Sequence, residues 1–462
     1  MRILLIAYDN GSYIHYFPQG LAYIAAVLLQ HGHDVEIYNQ DKFHYPDEHL
    51  TQYLDHTRFD VAGVGVIGGY YQYRKLLRIS DAVNKSKNRP FFVIGGHGPS
   101  PEPDHFLKKT QADAAVIGEG ELTIVELMQA IAEHKSLAGV KGIAYRNGQN
   151  VAINQRRPPI RDLDSIPYPA YHLFPIDYYR LMRLPHATNA DFVMPVAATR
   201  GCKFRCNFCY RMEEGWRTRT NASVIDEIKL LQADYGINYI IFSGELLMAS
   251  IEQMTLFCED IIKAGLNIKW FCDGRLNYAV PELLRLMKAA GCVFINYGIE
   301  AVDDQILKNM NKALTVQIIR RGIEATLAAG ISPGLNIIFG NIGETKEVLN
   351  KDVEFLIKYD DCAQMRTIRP VTPYPGSPLY YHAIEKGLLR DCEDFYENKH
   401  VNSDLLGINF TDMSDDEFHR ALFEANTRLL TNYYGKKLSE MIDVSKRLYL
   451  ERDATFRGYR QT

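Results

Sequence analysis

The chain contains 462 residues, of which 47% are hydrophobic and 23% are charged, and its formal net charge is −4. These values are those of an ordinary globular protein with two or three domains. Lys and Arg are dispersed along the sequence, so nothing indicates a nucleic-acid partner. The longest apolar stretches fall well short of the roughly 20 residues that a membrane-spanning helix needs, and we expect no membrane span.

The first third of the chain alternates strand and helix patterns. An apolar run at residues 2–8 predicts a strand buried on both faces rather than a signal peptide. Further strands are predicted at residues 34–38, 61–67, 91–94 and 114–117, and a helix at 21–30. The alternation predicts a doubly wound parallel sheet of the Rossmann type. Without a secretory signal we expect a cytoplasmic protein that lacks structural disulfides.

Small residues follow three of these strands, at Gly68 and Gly69, at Gly95 and Gly96, and at residues 118–121. Each turn alone is typical of a tight structural turn in which glycine adopts positive φ. Ligands of doubly wound sheets bind beyond the carboxyl ends of the strands. Three such turns on one edge therefore predict a site for a bulky ligand.

Cys202, Cys206 and Cys209 have the spacing Cys-x3-Cys-x2-Cys on one short segment. Three thiolates at this spacing hold three irons of a [4Fe–4S] cluster and leave the fourth iron open, whereas ordinary electron-transfer clusters use four cysteines. A closed zinc site needs a fourth ligand, and the nearest histidines in the sequence are His186 and His382. The remaining cysteines are scattered among apolar neighbours and are predicted core residues: Cys258, Cys272, Cys292, Cys362 and Cys392.

The cysteine pattern resembles that of the radical S-adenosylmethionine (SAM) family. In that family the amino and carboxylate groups of SAM chelate the open iron, and one electron cleaves SAM to a 5′-deoxyadenosyl radical. A second series of strand and helix patterns begins at Pro195. Strands are predicted at residues 196–199, 239–242, 268–271, 293–297, 334–339 and 364–368, with helices at 223–235, 252–264, 281–290, 316–329 and 344–359. Six such units match the family's partial (β/α)6 TIM-like barrel, whose active-site residues follow the strands.

The resemblance implies which residues contact SAM near the cluster. Ser243, Gly244 and Glu245 follow the second strand, where the family commonly has a Gly-Gly-Glu turn whose carbonyls and acidic side chain take the SAM ammonium. Many relatives with a cobalamin domain carry Asp-Asp here, so this turn departs from their pattern. Tyr210, directly after the last cysteine, resembles the aromatic residue that packs near the adenine.

Three later turns complete the implied SAM site. Arg275 ends the third strand and is suited to a bidentate pair with the SAM carboxylate. Glu300 ends the fourth strand in a Gly-Ile-Glu run, and Gly340 begins a Gly-x-x-Gly-Glu turn like the one beside the adenine. Taken singly, Arg275 or Glu300 is more typical of a surface ion pair than of a ligand, but their order after successive strands supports the barrel.

The first third of the chain resembles the cobalamin-binding domain that precedes the radical domain in one branch of this family. The matching runs are residues 18–28, 33–37, 95–100 and 117–121. The resemblance makes Gly68, Gly69, Gly95 and Gly96 candidate cobalamin contacts. The Asp-x-His-x-x-Gly loop that supplies a lower imidazole to cobalt elsewhere is absent, because His15 does not stand at that spacing. Some relatives without the loop hold cobalamin and others keep only the fold.

The resemblance implies a radical SAM enzyme acting on a small-molecule substrate with an external electron donor of the flavodoxin or ferredoxin type. Methyl transfer from cobalamin to an unactivated carbon or phosphorus is the leading hypothesis. A dehydratase, cyclase or rearrangement enzyme that keeps the cobalamin-domain fold is the alternative, and a non-catalytic cluster-bearing scaffold is a third. The sequence identifies neither the substrate nor a general acid or base.

The predicted organisation has four parts: a cobalamin-binding-like domain at residues 1–140, a linker at 141–190, the barrel at 191–385 and a helical region at 386–462. Apolar spacing near 3.6 predicts helices at residues 415–434 and 436–450. The polar end at 452–462 is predicted to fray.

Overall fold

The computed structural model describes residues 1–11, 16–402, 404–405, 407–453 and 455. The chain divides into two compact units. The first unit comprises Met1–Met182, Phe192–Glu245 and Thr372–Ile408, and the second comprises Arg183–Asp191, Leu246–Val371 and Asn409–Thr462. Both units mix strands and helices, which confirms the predicted α/β class.

The strands and helices of the described residues are numbered in chain order. The strands are β1 (Arg2–Ala7), β2 (Asp34–Asn39), β3 (Val61–Gly65), β4 (Phe91–Gly95), β5 (Ala114–Val116), β6 (Ile143–Asn147), β7 (Asn150–Ile153), β8 (Val193–Ala197), β9 (Thr199–Cys202), β10 (Gly215–Thr218), β11 (Tyr239–Ser243), β12 (Lys269–Gly274), β13 (Cys292–Glu300), β14 (Ser332–Phe339) and β15 (Arg369–Pro370). The helices are α1 (Gln19–Gln30), α2 (Gln40–Phe43), α3 (Asp47–His56), α4 (Tyr70–Lys85), α5 (Pro103–Thr110), α6 (Glu121–Ala132), α7 (Ile176–Tyr179), α8 (Asn221–Tyr235), α9 (Ile251–Lys263), α10 (Pro281–Ala289), α11 (Asp304–Asn309), α12 (Val316–Ala328), α13 (Lys346–Lys358), α14 (Pro378–Glu385), α15 (Cys392–Asp394) and α16 (Asp415–Tyr449).

The first unit contains a seven-stranded sheet with the order β2-β1-β3-β4-β5-β6-β7. Its first five strands pair in parallel, as predicted. Strands β6 and β7 add an antiparallel hairpin at the edge, within the segment that the sequence analysis assigned to a linker. Both strands are partly exposed and carry no continuous apolar run, so no strand signal marked them.

The core of this sheet is aliphatic. Leu5 of β1 and Val93 of β4 are buried against side chains of α1 and α6, including Leu28 and Leu127. Buried aliphatic strands flanked by helices are the pattern of a parallel sheet covered on both faces. The sheet thus holds its carboxyl edge, with the predicted glycine turns, on a rigid core.

The strands of the barrel are distributed over both units. In the first unit β8 and β11 pair in parallel, and β9 and β10 form a separate antiparallel hairpin. In the second unit β12, β13, β14 and β15 pair in parallel in that order. A parallel series of this kind, with helices between the strands, confirms the radical SAM type of half-barrel.

The sixth barrel strand differs from its prediction. The strand predicted at residues 364–368 is replaced by the two-residue β15, paired with the end of β14. Asn426 of α16 accepts a hydrogen bond from the Ile368 N–H (2.8 Å) and donates one to the Ile368 carbonyl (3.0 Å). A side chain therefore satisfies the backbone groups that a longer ladder would use.

The C-terminal helices that were predicted separately form the single helix α16. Ser414 and Glu417 make a reciprocal capping box at its start. Gly435, the residue between the two predicted helices, lies inside α16, where a glycine lowers helix stability by about 1 kcal/mol without ending the helix. Most of the predicted frayed end, at residues 454 and 456–462, lies outside the described residues. Among the helices described here, none has the length and apolar character of a membrane span.

Candidate active site

A cavity of about 660 Å³ lies at the carboxyl edge of the seven-stranded sheet, inside the first unit. The ends of β1, β3, β4 and β5 line it, and the predicted residues Gly95 and Gly96 are among the lining. Gly96 has φ +95°, and a Cβ there would lie 2.5 Å from the Val66 carbonyl oxygen. A side chain is thus excluded at this turn, and the backbone itself forms the wall.

The cavity wall exposes large apolar side chains. Ile67 exposes 54% of its surface and Tyr16 exposes 48%, although both line a concave site. Gly65 also faces the cavity, and the nearest atom to an added Cβ would be the Gly95 carbonyl oxygen, 4.0 Å away. Apolar walls and open backbone are features of a site that a bulky ligand covers. These residues fit a cobalamin-sized group.

Two other predicted glycines lie away from this cavity wall. A Cβ on Gly68 would lie 3.4 Å from the Tyr396 hydroxyl and 3.5 Å from the Tyr374 ring. Gly69 is the residue before α4. Their proposed contact with cobalamin stays a prediction.

His97 lines the cavity, where burial lowers its pKa although the charge of Glu245 acts in the opposite direction. His15 lies outside the described residues.

The predicted cluster segment is held by the β9–β10 hairpin. Cys202 is the last residue of β9 and pairs with Gly215, the first residue of β10. Gly201 has φ +80°, and a Cβ there would lie 2.3 Å from the Gly215 carbonyl oxygen. Cys206 is buried and Cys209 is exposed. The hairpin therefore fixes the start of the segment through a close backbone approach that only glycine permits.

The five scattered cysteines are buried, as predicted for core residues. Among the described residues, no group of three or more His, Cys, Asp or Glu side chains is arranged to hold a metal ion. The donor set on residues 202–209 still fits iron, because thiolates are the ligands of such clusters. Coordination by Cys202, Cys206 and Cys209 stays a prediction.

The predicted SAM turn packs against this hairpin within the first unit. The Glu245 carboxylate accepts a hydrogen bond from the Gly201 N–H. Gly244 has φ +135°, and a Cβ there would lie 2.5 Å from the Thr199 carbonyl oxygen. Ser243 donates from Oγ to Gln19 Oε1 (2.6 Å). Gln19 begins α1 and was not predicted, because its partner is 224 residues away in the sequence.

Tyr210, the predicted adenine contact, directly follows Cys209 in the sequence. Burial raises the pKa of its phenol to about 12. A Cβ on Gly376 would lie 2.5 Å from the Tyr210 ring, so the backbone at Gly376 packs directly on the ring. The ring also meets His97 edge-on, with 6.4 Å between centroids. Its role toward SAM is not tested by these contacts and stays a prediction.

In the second unit, Arg275 and Glu300 are joined through a residue that the sequence analysis did not single out. Arg275 donates to the Lys312 carbonyl oxygen, and Lys312 Nζ pairs with Glu300 Oε1 at 2.7 Å. All three residues are buried. Glu300 follows a β-bulge and has φ +71°, a conformation rarely adopted by residues other than glycine. Strain of this kind is concentrated at functional sites.

The remaining predicted turn of the second unit is also tightly enclosed. The Gly340 N–H donates to Glu344 Oε2, and burial raises the pKa of Glu344 well above its usual value. Gly340 has φ +103°, and a Cβ there would lie 2.8 Å from the Phe418 ring of α16.

Asp273 stands two residues before Arg275. Burial raises its pKa to about 6, although a hydrogen bond from Asn296 acts to lower it.

Comparison with known proteins agrees with this geometry. Residues 196–356 match the family model of the radical SAM superfamily, and residues 12–128 match that of the B12 binding domain. An uncharacterized methyltransferase of Pyrococcus horikoshii is 30% identical over 401 residues, which cover 84% of each chain. The anaerobic magnesium-protoporphyrin IX monomethyl ester cyclase of Rubrivivax gelatinosus is 27% identical over 412 residues, or 86% of this chain and 72% of the cyclase.

Solved structures share the fold. The radical SAM methyltransferase TsrM of Kitasatospora setae, with cobalamin and a [4Fe-4S] cluster bound, has a TM-score of 0.72 at 18% identity, covering 93% of this chain and 88% of TsrM. The two family models and the 30% identical relative together establish the family. The chain belongs to the radical SAM superfamily, in the group that carries a B12 binding domain, and its cofactors are a [4Fe–4S] cluster, SAM and cobalamin.

Proposed function

We propose that this enzyme transfers a methyl group to an unactivated carbon or phosphorus atom of a small molecule. The observation that carries the proposal is that one compact unit holds both the cavity of the B12 binding domain and the cysteine-bearing hairpin. Arg200 and Gly201 of the hairpin line that cavity, together with Glu245 of the predicted SAM turn. This shared lining supports the proposal, because methyl transfer requires the methyl donor and the radical source to reach the same substrate.

When bound, the cofactors supply a one-electron step, a hydrogen-abstracting radical derived from SAM, and a methyl group. The chain's own residues bind and orient these groups. Cys202, Cys206 and Cys209 are the proposed cluster ligands, and the Glu245 carboxylate is the proposed partner of the SAM ammonium. A ligand that covers the apolar cavity wall would exclude water, which would strengthen the charge interactions inside the cavity.

Two partners follow from the chemistry of the proposal. The first is a small-molecule substrate with an unactivated carbon or phosphorus. The second is an external reductant of the flavodoxin or ferredoxin type, because the one-electron step consumes an electron that no described side chain supplies.

The test is anaerobic reconstitution of the full chain with iron, sulfide and hydroxocobalamin, followed by desalting and measurement of iron and cobalt. Near-stoichiometric cobalt with about four irons per chain supports the proposal. SAM labelled with ¹³C in its methyl group is then added with a reductant, and label on the retained cobalamin is read by mass spectrometry. Four irons without retained cobalt, or retained cobalt that never takes the label, would overturn methyl transfer.

A second candidate function is ring formation without methyl transfer, favoured by the similarity to the Rubrivivax gelatinosus cyclase over 86% of this chain. The two functions differ in the products of SAM. Methyl transfer yields S-adenosylhomocysteine in addition to 5′-deoxyadenosine and methionine, whereas a cyclase yields 5′-deoxyadenosine and methionine without S-adenosylhomocysteine. Chromatography of the SAM-derived products separates them.

A further inference from the structure

The β9–β10 hairpin carries two arginines directly opposite one another. Arg200 of β9 pairs in register with Arg217 of β10. Their side chains expose only 21% and 15% of their surfaces. Like charges at opposed cross-strand positions are destabilising, and partial burial weakens the screening by water. The hairpin needs a carboxylate to hold this arrangement.

Glu119 supplies that carboxylate from the turn after β5 of the first sheet. Its Oε1 accepts hydrogen bonds from Arg200 Nη1 (3.1 Å) and Arg217 Nη1 (2.9 Å). Its Oε2 accepts from the Ile160 N–H (2.7 Å) and again from Arg217 (2.9 Å). Glu121 accepts from Arg200 Nη2 (2.5 Å). Only 5% of the surface of the Glu119 side chain is exposed.

Glu119 is charged despite this burial. Burial by itself raises the pKa of the carboxyl group, but the hydrogen bonds from Arg217 and Ile160 and the charges of both arginines outweigh it and lower the pKa. A carboxylate bonded by two guanidinium groups is a strong, charge-assisted contact. Removing it would take away the carboxylate that the two facing guanidinium groups share and leave Glu121 to Arg200 alone, which is more costly than losing one surface pair.

The same carboxylate contacts the surroundings of both cofactors. Arg200 stands two residues before Cys202 on β9. Gly118, Glu119 and Gly120 line the cavity of the B12 binding domain. The segment after the cysteines also touches this turn, because a Cβ on Gly118 would lie 2.3 Å from Glu213 Oε1. Any ligand that orders the turn after β5 therefore acts on the hairpin that positions Cys202.

We propose that Glu119 is a positioning residue that couples the cobalamin cavity to the cluster hairpin, so that cobalamin binding slows loss of the cluster. The inference needs cobalamin to bind but does not need methyl transfer, and it holds equally for a cyclase. Coupling between two sites is reciprocal, so the cluster in turn strengthens cobalamin retention.

The experiment measures iron release from the full chain, reconstituted anaerobically with and without hydroxocobalamin. The reconstituted protein is challenged with ferrozine, and the rate of colour formation is compared for the two preparations. For the wild type we expect release to slow at least about fivefold with cobalamin, because coupled sites usually change each other's affinity by about fivefold or more and we expect this change in the dissociation rate of the cluster. For Glu119→Gln we expect nearly equal rates, with about four irons still loaded at the start.

The matched control is Glu227→Gln. Glu227 is another buried carboxylate of the first unit and pairs with Arg219, but it does not line the cavity. We expect this variant to keep the wild-type ratio of rates. An equal loss of the ratio in Glu227→Gln would overturn the inference, because any broken buried ion pair would then have the same effect.

Two further outcomes would also overturn it. The first is a wild-type enzyme that releases iron at the same rate with and without cobalamin. The second is a Glu119→Gln variant whose ratio of release rates without and with cobalamin equals that of the wild type, since cobalamin would then protect the cluster by covering it. If Glu119→Gln does not fold, Glu119→Asp decides, because the shorter carboxylate cannot reach both arginines and must lower the ratio. Loss of cobalt from the wild type during desalting would contradict the assignment of cobalamin as a cofactor. Direct measurement of cobalt distinguishes this outcome from a failure of the coupling.

Discussion

The Glu245 carboxylate accepts a hydrogen bond from the backbone N–H of Gly201, the residue directly before Cys202. Glu245 follows β11 and Gly201 lies in β9, so the contact joins the predicted SAM turn to the predicted cluster segment. A carboxylate bound by one backbone N–H retains acceptor capacity for a second, positively charged donor. The same side chain is thus able to fix the hairpin and receive the SAM ammonium.

Glu245→Gln separates these two roles. The amide oxygen still accepts from the Gly201 N–H, whereas the negative charge is lost. A charge-assisted hydrogen bond contributes about 1.5–3 kcal/mol, so we expect SAM affinity to fall about tenfold or more with iron loading unchanged. Equilibrium dialysis with labelled SAM and iron analysis measure both. Glu245→Ala should lose iron as well, and unchanged SAM binding by Glu245→Gln would refute the assignment.

Gly201→Ala tests the close approach within the hairpin. The added Cβ would lie 2.3 Å from the Gly215 carbonyl oxygen at φ +80°, so β9 and β10 must separate beside Cys202. We expect most of the cluster iron to be lost after reconstitution. The control is Gly236→Ala, at φ +67° with no atom within 4 Å of the added Cβ, which should cost about 1–2 kcal/mol of stability and keep its iron. Equal iron in both variants would contradict the prediction.

Gly65→Leu tests whether the cavity holds cobalamin. Gly65 ends β3 and lines the cavity, and a Cβ added there would have no neighbour closer than 4.0 Å. A leucine therefore fills the cavity while the sheet stays intact. We expect cobalt retention after desalting to fall at least tenfold, with far-ultraviolet circular dichroism and iron content unchanged. Gly65→Ala, which adds a single methyl group, should retain cobalt, and full retention by the leucine variant would place cobalamin elsewhere.

Asp352 gives the second unit a pH-dependent stability. It is fully buried on α13, accepts a hydrogen bond from the Val302 N–H (2.6 Å), and has its pKa raised by burial to about 8. The unfolded chain releases this proton near pH 4. Between about pH 4 and pH 8 the folded state therefore binds more protons than the unfolded state, and stability falls as pH rises.

Asp352→Asn removes this dependence, because the amide accepts from Val302 without ionising. Relative to the wild type, we expect the variant to gain stability as pH rises from 5 to 8, by up to about 1.4 kcal/mol per pH unit. Thermal midpoints of the full chain at four pH values measure the gain. A wild type whose midpoint rises over this range relative to the variant would show that the sign is wrong.

Much of the fold was predictable because it depends on local patterns. Alternating strand and helix patterns placed β1 to β5 and the barrel helices α8, α9, α10, α12 and α13, in each case within a few residues of their observed bounds. The cofactor family was predictable for the same reason. The spacing of the three cysteines within residues 202–209 carries the resemblance to the radical SAM family, and reading it requires no residue distant in the sequence.

The tertiary structure decided which distant side chains meet. Nothing in the sequence indicates that Ser243 donates a hydrogen bond to Gln19 or that Lys312 joins Arg275 to Glu300. The sequence likewise does not indicate that Asn426 hydrogen-bonds to the backbone of Ile368 next to the short strand β15. The bridge from Glu119 to Arg200 and Arg217 is of the same kind, since it spans 81 and 98 residues. Local periodicity reports which face of an element is buried, but a buried polar group chooses its partner from whatever the packing brings within hydrogen-bond distance.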